Sequence, residues 1–78
     1  GFAMTNAIEA ATRRVLETYA LMADPEKAEA ARESVVDYLR TVFSAGEKDA
    51  TRLAVYGLAY LREKEGHSDP VSEGYTGL

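Results

Sequence analysis

Residues 53–61 read LAVYGLAYL, nine consecutive positions without a charge and with glycine at the centre. Wound as a helix, this stretch is apolar around nearly its whole circumference. A glycine inside a helix costs about 0.5–1 kcal/mol relative to alanine, so Gly57 predicts a place where another backbone comes close. At 100° per residue, Ala50, Leu53, Ala54, Gly57, Leu58 and Leu61 share one side, with Tyr60 at its border. Val55, Tyr56 and Ala59 point the other way, among Arg52, Arg62 and Glu63. The inner side is expected to complete a core, and the outer side is the first candidate for docking a partner.

Two further helices are legible upstream. Asn6 followed three positions later by Glu9 has the form of a capping box, which places the start of the first helix at Asn6. Ile8, Ala11, Val15, Tyr19 and Met22 then recur at spacings of three and four, with Thr12 and Leu16 at the edge of that stripe. Glu9–Arg13 and Arg13–Glu17 are expected as opposite-charge pairs on the outer surface, each worth roughly 0.2–0.5 kcal/mol. Asp24 and Pro25 form the clearest boundary in the chain. Asp24 is a good N-cap, and proline suits the first helical position because its missing N–H would have had no partner there.

The second helix is expected from Pro25 to about Ser44. Its stripe is Ala28, Ala31, Val35, Leu39 and Val42, flanked by Val36, Tyr38 and Phe43, and Gly46 provides a left-handed stop. The third helix is expected from near Asp49 to Gly66. No segment shows the two-residue alternation of a strand. The predicted fold class is all-α, a compact three-helix bundle over residues 6–66 that is compatible with a helix-turn-helix arrangement. Gly1–Ala3 ahead of Met4 read as an expression scar, residues 1–5 as an N-terminal extension, and residues 67–78 as a flexible tail. Val71, Tyr75 and Leu78 give that tail the spacing of a peptide that orders on binding.

Composition removes several chemistries. The 78 residues allow one domain, and without cysteine there is no disulfide, thiolate metal site or thiol nucleophile. The one histidine, His67, stands beside Ser68 and Asp69, and three consecutive residues cannot converge as a catalytic triad. One imidazole without thiolates falls short of a zinc site. No glycine-rich phosphate loop is present and "GEKDAT" is too short to ligate calcium, so neither cofactor nor metal is expected, and the chain does not read as an enzyme. No apolar run approaches the ~20 residues that cross a bilayer. The amino-terminal residues have no signal-peptide pattern, so the expected location is the cytoplasm.

Thirteen acidic against nine basic residues give a net charge of −4, which repels nucleic-acid phosphates and anionic membranes. Glu29, Glu33 and Asp37 follow at four-residue intervals, an acidic strip suited to a basic protein surface such as the DNA-reading face of a transcription factor. The functional expectation is a small regulatory protein that acts by binding another protein, in its sharpest form an antiactivator of a transcriptional regulator. Its predicted contact residues are Arg52, Val55, Tyr56, Ala59 and Arg62, with Glu29, Glu33 and Asp37. Two alternatives stay open at this point. One is DNA binding by a helix-turn-helix, with Thr51, Arg52, Val55, Tyr56, Ala59 and Arg62 exposed on its recognition helix. The other is a homodimeric structural subunit joined through the Val55–Tyr56 side.

Overall fold

The computed structural model describes residues 2–67, with side chains described from 4 to 65. Its elements are α1 (Phe2–Met22), α2 (Pro25–Ala30), α3 (Arg32–Ser44) and α4 (Ala50–His67). The described residues are all helical apart from the short connections between these elements.

The local signals act as their chemistry requires. The Lys27 N–H donates to Asp24 Oδ1 at 2.8 Å, and Pro25 opens α2 behind that cap. Gly46 has φ +127°, its N–H donates to Phe43 O at 3.0 Å, and the Glu47 N–H reaches back to Val42 O at 3.2 Å. These two bonds are those of a Schellman stop, and glycine is the residue that takes a positive φ without strain. Lys48 reinforces the stop, with Nζ 3.0 Å from Phe43 O and 4.0 Å from the Phe43 ring centre. Asp49 caps α4, accepting from the Arg52 N–H at 2.9 Å.

Three boundaries differ from the sequence expectation. α1 starts at Phe2 rather than Asn6, so Asn6 sits inside the helix and makes no cap. Met4 and Ala7 pack against the core and carry the helix backward. The second predicted helix is divided at Ala31, whose φ of −88° and ψ of −7° keep it nearly helical. The Ala31 N–H is shared between Lys27 O at 3.2 Å and Ala28 O at 3.1 Å, a local tightening that separates α2 from α3 with little change of course. The two therefore act as one arm. α4 runs through Gly66 to His67, so Gly66 does not stop it. The rest of the expected tail, residues 68–78 with Val71, Tyr75 and Leu78, lies outside the described residues.

The three arms pack up-down-up around α1. Parallel α1 and α4 are tied by Arg14 donating to Thr51 Oγ1 at 3.1 Å and by Tyr19 donating to Glu65 Oε2 at 2.9 Å. α3 returns antiparallel to α4, with Tyr38 stacked on Tyr60 at 4.5 Å between ring centres and Lys64 Nζ 3.3 Å from Ser34 Oγ. The core comprises Ile8, Ala11, Val15, Leu16 and Tyr19 of α1, Ala28, Val35 and Leu39 of the return arm, and Leu53 and Leu61 of α4. Gly57 is buried with them. A Cβ built on it lies 2.8 Å from Val15 Cγ2 and 3.6 Å from two Leu39 methyls, so Gly57 is closely packed, and what crowds it is side chains of α1 and α3 rather than the backbone that the sequence predicts.

Met22 departs from its predicted core position. It is 56% exposed, because α1 ends there and the chain turns away before the stripe is covered. Thr12, predicted at the edge, is only 2% exposed.

Candidate interaction surfaces

α4 has two unlike sides. Leu53, Gly57 and Leu61, four residues apart, face α1 and α3 and are buried. Arg52, Val55, Tyr56, Ala59 and Arg62 are all exposed, with Val55 at 66% and Tyr56 at 47%. Arg52 extends toward Glu47, with 4.0 Å between Nη1 and Oε1, leaving its guanidinium largely in solvent. The helical repeat thus brings the predicted apolar residues and both flanking arginines to one outward face.

Within the acidic strip one member is engaged by a neighbour. Arg32 grips Glu29, Nε donating to Oε2 at 2.7 Å and Nη2 to Oε1 at 3.1 Å. That paired hydrogen bond holds the Glu29 carboxyl below its ordinary pKa and raises that of Arg32. Glu33 and Asp37 stay exposed on α3. Their four-residue spacing keeps them on the same side of the arm as Glu29. Glu29 differs from them in being held by Arg32.

The side of the arm that faces α1 holds a feature the sequence reading missed. Between α1 and the α2–α3 arm runs an open groove of about 640 Å³. Its floor includes Ile8, Thr12, Leu16, Ala28 and Val36. The Thr12 hydroxyl is buried there without a hydrogen-bond partner. Glu9, Arg13 and Glu17 stand along the α1 lip, exposed. The predicted Glu9–Arg13 and Arg13–Glu17 pairs are not closed, whereas Arg32–Glu29 and Arg52–Glu47 are. The sequence signal for the groove is a second row at four-residue spacing, Met4, Ile8, Thr12, Leu16 and Ala20, beside the core stripe.

Among the described residues, no helix is long and apolar enough to cross a membrane. Nor does any group of three His, Asp or Glu side chains among them stand where it could hold a metal ion. No protein-family model, curated protein or solved structure matches the chain. The functional reading therefore rests on the surfaces alone.

Proposed function

We propose that the protein is a non-enzymatic regulator that acts by binding another protein through the outer face of α4. The observation that carries this reading is the exposed Val55–Tyr56 pair framed by Arg52 and Arg62. An aromatic and an aliphatic side chain beside arginines have the composition of an interface centre, where aromatics and Arg are enriched, and Glu63, one turn beyond Ala59, adds a carboxylate to the same face. Glu33 and Asp37 on the neighbouring helix would steer a partner with a basic surface toward that face. A transcription factor with its DNA-reading surface occupied is the sharpest form of this proposal, and inhibition by occlusion is its mechanism. Recognition of DNA by α4 is disfavoured by the net charge of −4, which opposes the phosphate contacts that supply most nucleic-acid affinity.

The test is affinity capture from nuclease-treated lysate of the native host, comparing the wild-type chain with Tyr56→Glu and with Glu33→Lys/Asp37→Lys. The expected result is a protein retained by the wild type, lost with Tyr56→Glu and weakened with the lysine pair. Retention that is indifferent to Tyr56 would overturn the assignment of this face.

A further inference from the structure

We infer that the groove between α1 and the α2–α3 arm is a self-association surface, and that its occupant is α1 of a second copy lying antiparallel in it. The inference is independent of the α4 face.

Charge decides the occupant. The groove is lined by three acidic residues, Glu9, Glu17 and Glu29, and three basic ones, Arg13, Arg32 and Arg40, and is therefore neutral in a chain of net charge −4. Elsewhere two copies repel each other on average. A nucleic acid or a strongly basic protein would find no complementary field in this groove. A second copy does, because the sign along the α1 lip alternates every four residues in the order Glu9, Arg13, Glu17.

An antiparallel pair of such lips is self-complementary. Arg13 of each copy meets Glu9 or Glu17 of the other, and the two contacts repeat by symmetry as an isologous interface demands. Among the described residues, none of these three side chains makes an ion pair or side-chain hydrogen bond within its own chain, although their spacing permits it. Their charges are free for a neighbour.

The shape agrees with the charge. From Met4 to Ala20 the groove follows α1 for about 24 Å at 1.5 Å per residue, the length of a helix partner rather than of a point contact. α1 is both the wall of one groove and the ridge that enters the other, so each copy supplies what its counterpart lacks. Either register places the two-fold axis within a turn of Thr12. That is where the floor holds Thr12, a residue 2% exposed whose hydroxyl has no hydrogen-bond partner in the single chain.

The experiment is sedimentation equilibrium of the full chain, with helicity checked by circular dichroism. The wild type is expected to rise from 8.5 kDa toward twice that mass as its concentration increases. Arg13→Glu makes the lip uniformly acidic, and Glu9→Arg/Glu17→Arg makes it uniformly basic. Each variant alone is expected to stay at 8.5 kDa, and their equimolar mixture to regain the doubled mass. Recovery on mixing also excludes misfolding as the cause of either loss. A wild type that stays monomeric at millimolar concentration overturns the proposal and leaves the groove to an occupant other than a second copy. So does a dimer that survives Arg13→Glu but is lost with Tyr56→Glu, because the copies then meet through α4.

Discussion

α1 has two flanks, and they are built differently. Against α4 it meets Gly57, and the missing side chain lets Val15 pack so closely that an added Cβ would overlap its Cγ2 at 2.8 Å. Against the α2–α3 arm it meets Ala28 and Val36 across an open groove of about 640 Å³. Both flanks are lined by small and aliphatic residues, so hydrophobicity alone does not separate them. The difference is where small size falls. A glycine leaves room for a neighbour's branched side chain to fill the space, whereas an alanine beside long charged side chains on both lips leaves a channel. The α4 flank is thereby satisfied within the chain, and the arm flank is not.

The largest expected effect comes from filling the closed flank. Gly57→Leu should destabilise the fold by roughly 1–3 kcal/mol, a substantial share of the ~4–12 kcal/mol available to a domain of this length. Gly57→Ala tests the same contact more gently. It adds helix propensity, but its Cβ meets a valine whose χ1 is nearly fixed in a helix, so a net loss is expected. Val15→Ala in the same chain should relieve part of that loss. Urea unfolding of wild type, the two single variants and the double variant measures the coupling, and a value near zero would mean that the flank is not closed by this contact.

The seam between α1 and α4 is also held at its far end by the bond from Tyr19 to Glu65. The carboxylate that accepts the hydroxyl proton, together with burial, raises the Tyr19 pKa above its ordinary value. With the folded value raised, the associated stability is fully present below about pH 10, the unfolded tyrosine value, and is lost as pH rises through the folded one. Tyr19→Phe should cost about 1 kcal/mol at neutral pH and remove this alkaline contribution. Melting curves between neutral and strongly alkaline pH provide the check. Equal alkaline losses in wild type and variant would show that the bond does not hold the seam.

On the open flank the sign reverses. Thr12→Val replaces an unpartnered buried hydroxyl with a methyl of similar shape, and should stabilise the single chain by about 0.5–1 kcal/mol. A loss instead would mean that the hydroxyl has a partner in solution. Repeating the melt over a range of protein concentrations separates a partner within the chain from one in a second copy.

These two flanks were unequally legible in the sequence. Gly57 announced its contact because glycine inside a helix has a local cost that only a close neighbour explains. Asp24–Pro25, Gly46 and Asp49 announced their turns because capping depends on a few adjacent residues. The groove carried no such signature. Its floor is made of residues 4–20 and 28–36, brought together by an antiparallel return, and the row from Met4 to Ala20 reads locally as a wider apolar stripe. Glu9, Arg13 and Glu17 have the spacing of ordinary helix-surface pairs, and only the structure shows them unclosed along a lip. The pairing within the acidic strip was hidden for a related reason. Arg32 lies three residues from Glu29, and its choice of that carboxylate sets Glu29 apart from Glu33 and Asp37.

The smallest expected effect on stability belongs to the residue with the largest expected effect on binding. Tyr56 is 47% exposed on α4, one turn before Tyr60, whose ring stacks on Tyr38. Tyr56→Glu removes apolar surface that is already half in water and should change stability by less than about 0.5 kcal/mol. Tyr60→Glu removes a stacked pair worth about 0.5–1.5 kcal/mol and places a carboxylate in the α3–α4 seam, so it should cost more. The contrast between neighbouring turns gives the binding experiment its meaning. If Tyr56→Glu melts with the wild type while Tyr60→Glu melts earlier, any partner lost with Tyr56→Glu was lost from a surface and not from a damaged fold. If the two variants melt alike, Tyr56 belongs to the aromatic seam, and the outer face of α4 shrinks to Val55 and Ala59 between two arginines.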